Sequence, residues 1–165
     1  MKRTALRDSH AQSGFTIVEL IVVMVIAGTL AITGISRFSS ASAANQRGFA
    51  DFTLSAFHYA HRLATVGGCH TRVQSASNTL TISSWAVCTP ASHTGTTTPV
   101  SHPDNSGTFV EVAPGGVTLG ALDIFFDAHG QPHATGTGSA LTSTTTLSVG
   151  SRSINIEAIT GYAYE

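Results

Sequence analysis

Residues 15–35, FTIVELIVVMVIAGTLAITGI, constrain this chain more than any other feature. They are apolar apart from three threonines, two glycines and one carboxylate, Glu19. As a helix rising about 1.5 Å per residue, the run is long enough for the hydrocarbon core of a bilayer, which needs about 20 residues. Residues 1–14, MKRTALRDSHAQSG, carry Lys2, Arg3 and Arg7. Cations before a span predict that this prefix stays in the cytoplasm and that everything after Arg37 lies outside.

Ordinary explanations of the run each leave something over. A secretory signal has a shorter apolar core with a small-x-small cleavage site behind it; Ala41-Ser42-Ala43 would serve, but the run is long. A single-span anchor accounts for the length and the cations but not for Glu19, because a carboxylate inside a span costs about 2.5 kcal/mol or more. A buried soluble helix has no use for a basic prefix. An acid at that depth calls for a function and a named partner.

Gly14-Phe15-Thr16-Ile17-Val18-Glu19, followed by the apolar run, resembles the cleavage and methylation signature of type IV pilins and type II secretion pseudopilins. The resemblance implies that a prepilin peptidase cuts between Gly14 and Phe15 and that the same enzyme N-methylates Phe15. Glu19 would then be the fifth residue of the mature chain, where the family's glutamate stands. Cutting leaves a cationic amine at the start of a helix. In a filament that amine can face Glu19 of a neighbouring subunit, each charge relieving the other's desolvation cost and setting axial register.

The helical pattern continues past the span. Residues 36–66 contain no proline and stop at Gly67-Gly68, a helix terminator. Phe49, Phe52, Ala56, Tyr59 (or Ala60) and Leu63 recur at three- and four-residue steps as an apolar stripe, with Arg47, Asp51, His58, His61 and Arg62 off it. The expected object is one helix of about 50 residues, about 75 Å long, with a transmembrane half and an amphipathic half.

From Thr71 the period changes to two. Arg72–Gln74 and Thr79–Ser83 flank Ser77-Asn78, a hairpin signal. Phe109–Val112 and Val117–Leu119 flank Pro114-Gly115-Gly116, a second turn signal. Leu122, Ile124 and Phe126 alternate with Asp123, Phe125 and Asp127, and residues 144–149 and 154–156 read as further strands. Residues 89–107 read as a long surface loop. The expected fold class is α+β: a long N-terminal helix packed on a β-sandwich-like antiparallel domain. The expected organisation is a leader (1–14), a transmembrane or filament-core helix (15–35), its amphipathic continuation (36–66) and a periplasmic pilin domain (67–165).

Several segments are similar to H-type minor pseudopilins: residues 56–64, the run Ile124-Phe125-Phe126-Asp127-Ala128-His129-Gly130-Gln131-Pro132, and Ile154–Ile156 leading to Thr160-Gly161-Tyr162. The closing Gly-Tyr segment and the mid-chain cysteines are also similar to minor pilins of mannose-sensitive-haemagglutinin-type pili. Major pilins of the family often place a disulfide near the C-terminus. Here the cysteines come early in the domain, which implies a minor subunit.

Cys69 and Cys88 are the two cysteines of the chain. They are too few for a disulfide scaffold or a four-ligand zinc site, and export makes one bridge between them the expectation. Such a bridge is worth about 3 kcal/mol in the chain-entropy picture. Eight histidines raise a metal question, centred on His58 with His61 and on Asp127, His129 and His133. No HExxH or paired-cysteine motif orders them, so solvated surface histidines and no metal are expected. Asp123 and Asp127 are expected on a solvated strand face, too far apart for a tight acid pair.

The chain shows no GxSxG, Walker loop or Gly-rich dinucleotide turn. No enzymatic activity and no cofactor are expected. With a net charge of −1 and an acidic, aromatic tail, Gly161-Tyr162-Ala163-Tyr164-Glu165, DNA is disfavoured as a partner. The resemblance instead implies a structural subunit that primes or caps assembly of a type IV pilus or a type II secretion pseudopilus. Its partners would be the prepilin peptidase and methyltransferase, other major and minor pilins, the inner-membrane assembly platform and the bilayer. Its place would be the bacterial inner membrane, with the C-terminal domain periplasmic, and then the filament. Tip adhesion or DNA uptake, and a membrane-anchored periplasmic enzyme, are the alternatives.

Overall fold

The computed structural model describes residues 15–85 and 95–165, without the side chains of 31–41. The leader (1–14), Gly14 and Cys88 therefore lie outside the described residues, as does part of the 89–107 loop. The chain divides into two compact units, residues 1–39 and 40–165. Helix α1 (Ile17–Gly67) contributes to both.

The first unit contains the start of α1. Every described side chain from Phe15 to Leu30 is exposed, including Phe15, Ile17, Val18, Leu20 and Met24. The described helix surface is thus apolar nearly all round here.

In the second unit nine short strands follow the helix among the described residues: β1 (Thr71–Ala76), β2 (Thr79–Trp85), β3 (Thr97–Pro99), β4 (Val110–Val112), β5 (Leu122–Phe126), β6 (Pro132–Ala134), β7 (Thr145–Val149), β8 (Arg152–Ile156) and β9 (Ala163–Tyr164). One sheet runs β3-β2-β1-β5-β6, with β4 also paired to β2; the other runs β7-β8-β9. All pairings between these strands are antiparallel. The α+β expectation holds.

The helix stops where Gly68 adopts a left-handed conformation (φ 64°), which costs a glycine little. The first hairpin forms as read. Ser77 and Asn78 carry the two positive φ angles, 50° and 59°, of a tight turn whose twist suits paired strands. Val73 lies opposite Ile82, and Ile124 opposite Val73, so these three side chains share one sheet face. They enter a core with α1, β7 and β8 that also holds Leu80, Phe109, Leu147, Val149, Ile154 and Ile156.

The helical stripe holds at Phe49, Ala56 and Ala60 and departs from expectation at Phe52 and Leu63. Phe49, Ala50, Thr53, Ala56, Phe57, Ala60 and Ala64 are the buried positions, with Phe57 at 0% exposure, while Phe52, Tyr59 and Leu63 are half-buried. The close-packed centre of the face is built mainly from small residues, and the aromatics flank it. Thr53 tolerates burial because its hydroxyl donates to the Phe49 carbonyl at 2.7 Å.

The expected turn at Pro114–Gly116 joins two segments that go to different sheets. The turn forms, with Val117 N–H donating to Pro114 O at 3.0 Å, but its two arms do not pair. β4 joins β2, whereas Leu119 bridges Val149. Gly120 N–H donates to Ser148 O at 2.8 Å, and Gly150 N–H to Thr118 O at 2.7 Å. Val117 and Leu119 are both buried, and beside β7 their backbone finds partners while their side chains reach the core. The alternation expected in β5 is also broken. Ile124, Phe125 and Phe126 are all buried, because Phe125 meets His70, Trp85 and His133 rings on the face away from Ile124.

Candidate processing and assembly site

Phe15 and Glu19 are one helical turn apart and line the same shallow groove with Leu20, Val23 and Met24. Thr16 precedes the first helical residue and caps the turn. Glu19 N–H donates to Thr16 Oγ1 at 3.2 Å, and Leu20 N–H donates to Thr16 O at 3.2 Å. Thr16-Ile17-Val18-Glu19 thus has the spacing of a capping box, with an acid at the positive end of the helix. That local role for the Glu19 backbone was readable from Thr-x-x-Glu.

Phe15 is 82% exposed, so the bond on its N-terminal side borders an accessible residue. Gly14, the other side of that bond, is outside the described residues. Among the described residues no helix is long and apolar enough to cross a membrane. Only residues 15–30 of the apolar run 15–35 have described side chains.

The Cys69 sulfur is disulfide-bonded. Its expected partner, Cys88, lies outside the described residues.

The histidines need correction. Of the six within the described residues, only His129 is exposed; His70 is buried and His58, His61, His102 and His133 are half-buried. His58 Nε2 meets Ala163 O at 2.9 Å and His61 Nε2 meets Thr160 O at 3.1 Å. A carbonyl only accepts, so both rings donate from Nε2. They occupy backbone acceptors of the C-terminal segment, including one on the edge strand β9. The His61 ring packs edge-on against Phe126 and lies against Gly130, where a Cβ would collide with it, while a Cβ at Gly161 would collide with Gly130 O.

Asp127 and His133 do come together, at 3.2 Å, but as a turn support. Asp127 Oδ1 accepts the backbone N–H groups of His129 and Gln131, both at 2.9 Å. Burial pushes the Asp127 carboxyl up, and the hydrogen bonds from Gln131, His129 and His133 outweigh it, leaving a net downward shift. His129, with a 90% exposed side chain, lies 4.0 Å away. Among the described residues no group of three or more His, Cys, Asp or Glu could hold a metal ion.

Asp123 is not merely solvated: Arg72 grips it through two bonds, Nε–Oδ1 at 2.7 Å and Nη2–Oδ2 at 2.6 Å. The Arg72 hydrogen bond lowers its carboxyl against the opposing effect of burial. Arg72 and Asp123 lie diagonally across β1 and β5, a relation invisible before the register is known. Arg152 likewise pairs with Glu165.

No curated protein and no solved structure matches the chain. Residues 9–35 match the prokaryotic N-terminal methylation motif. The match takes in Gly14, Phe15, Thr16 and Glu19, and residues 36–165 lie beyond it. The chain therefore carries a type IV pilin-like signal at its N-terminal end.

Proposed function

We propose that the chain is a prepilin whose Gly14–Phe15 bond is cut by a prepilin peptidase, whose Phe15 is then N-methylated, and whose mature form is a minor structural subunit of a type IV pilus or type II secretion pseudopilus. The observation that carries this reading is the methylation motif over residues 9–35, joined to a helix start whose described side chains, Phe15 to Leu30, are all exposed and almost all apolar. Such a surface needs lipid or other helices around it. In this account residues 15–35 hold the subunit in the inner membrane before assembly and among neighbouring subunits afterwards. The domain beyond residue 67 faces the periplasm, where a Cys69–Cys88 bridge is chemically sustainable.

Glu19 supplies the polar contact in that apolar setting. Its carboxylate pairs with the Phe15 amine of an adjoining copy, and losing it would leave that amine unpaired in an apolar setting. Glu19→Ala should leave membrane insertion intact, since it makes the span more apolar, while cutting recovery in sheared filaments at least about tenfold. Immunoblots of membrane and sheared fractions measure both quantities. Normal incorporation of the variant would contradict the reading.

A further inference from the structure

β6 is the last strand on its side of the larger sheet. Residues 139–141 turn back along its outer edge and cover it. Ala134 N–H donates to Ser139 O and Leu141 N–H to Pro132 O, both at 2.9 Å, and His133 bridges Ala140. A bare edge strand is a template for pairing with another chain, so this cover decides whether β6 can pair elsewhere.

The His133 ring ties the cover to the turn on the other side of β6. Nδ1 lies 3.1 Å from Gly138 O and Nε2 lies 3.2 Å from Asp127 Oδ2. A carbonyl and a carboxylate only accept, so both bonds exist together only when both ring nitrogens carry protons. A neutral ring has one proton for two acceptors. The bond to Asp127 is charge-assisted and about twice as strong as one to a carbonyl, so the neutral ring keeps its proton on Nε2. The Nδ1 lone pair then faces the Gly138 oxygen, and the cover loses its pin. The ring has little room to turn away, because its side chain is 17% exposed and it stacks on Phe125 with centroids 4.9 Å apart at 15°.

The groups able to carry charge around the ring come from four places. Asp127 and the exposed His129 belong to the β5–β6 turn, with His129 Nδ1 at 4.0 Å from Asp127 Oδ2. Burial raises the Asp127 carboxyl, the hydrogen bonds from Gln131, His129 and His133 lower it, and the net shift is downward, so it is an anion wherever histidine changes charge. Arg72 of β1 lies opposite Phe125 and is held by Asp123 of β5. His70 stacks on Phe125, 5.2 Å away. His61 of α1 lies against Gly130 of the turn and donates to Thr160 O.

We propose that the proton on His133 Nδ1 pins residues 138–141 over the edge of β6, and that its loss loosens them and frees that edge to pair with another strand. The device lies wholly in the second unit and does not depend on N-terminal processing.

The test uses the full-length chain in detergent micelles with ¹⁵N-labelled histidine. NMR reads the protonation of both His133 nitrogens between about pH 5 and 8, the range in which histidine charge changes, with the resonances assigned by their loss in His133→Gln. Hydrogen exchange of the Ala134 and Leu141 amides, corrected for intrinsic rate, is followed over the same range. The amides of Ile82 and Gly120, bonded to Phe109 O and Ser148 O, serve as references elsewhere in the second unit. The expected neutral ring carries its proton on Nε2. Opening at Ala134 and Leu141 should rise about fivefold or more as Nδ1 loses its proton, while the reference amides stay level. Asp127→Asn removes the charge that selects Nε2 and should flatten the rise, as should His133→Gln. A neutral ring protonated on Nδ1 would overturn the proposal. So would opening at Ala134 and Leu141 that ignores pH or that rises no more than at the reference amides. If His133→Gln does not fold, the ring signals are assigned through Asp127→Asn, whose change displaces them, and the unmodified chain still decides.

Discussion

At the β5–β6 turn one carboxylate serves three donors. Asp127 takes the N–H of His129 and of Gln131 and the Nε2 of His133, while its own N–H donates to Gln131 O. Asp127→Ala leaves those donors without their acceptor in a half-buried site and should cost about 1.5–3 kcal/mol. Urea unfolding of the full chain, followed by the fluorescence of Trp85, its only tryptophan, measures the loss. The pH dependence has a definite sign. A carboxyl lowered in the folded state contributes its stability in full above the ordinary aspartate value of about 3.9 and loses it as pH falls through the lower folded value. Unfolding midpoints should therefore drop below about pH 4, and less steeply in Asp127→Asn. The cluster of Asp127, His129 and His133 was legible as a cluster, but its purpose was not. Spacing brought the three residues to one turn, and only the backbone N–H positions reveal that the acid is already occupied. Glu19 shows a similar layering, since its backbone N–H completes the Thr16 cap while its side chain is exposed.

Helix α1 shows how periodicity can find an element and misplace its face. The three- and four-residue steps of Phe49, Phe52, Ala56 and Leu63 gave the right helix, and Gly67-Gly68 gave its end. The aromatic weight drew the stripe toward Phe52 and Tyr59, whereas tight approach to the sheets favours Ala50, Thr53, Ala60 and Ala64 at the centre. Phe57, fully buried, is the sharpest difference. Phe57→Ala should cost about 3–5 kcal/mol through lost burial and a residual cavity, against about 1 kcal/mol or less for the half-buried Leu63. Paired chemical melts of the two variants give the comparison; equal costs would restore the original stripe. The strands divide in the same way. The Ser77-Asn78 turn is local chemistry and was legible, as was the turn at Pro114–Gly116. The destination of the arm after Pro114 was not, because the partner Val149 is set by the assembled core. β3, β6 and β9 are two or three residues long and owe their extended state to a neighbouring strand more than to their own pattern.

On the scale of the whole molecule, the chain joins two units of opposite character. The second closes its own core around α1 and two sheets. In the first, the described side chains from Phe15 to Leu30 are exposed and mostly apolar. Composition and period were enough to distinguish these halves, because a continuous apolar run and a two-residue alternation cannot be the same kind of structure. The role of the first unit is legible only through its short signature, since a single subunit carries no neighbours. The proposed subunit role thus depends on where the mature chain begins. Intact-mass and N-terminal sequencing of the protein recovered from its native membrane decide this. The expected product starts at Phe15 and carries one added methyl group on that amine. A product that retains residues 1–14, or one that has lost the whole of 15–35, would contradict it.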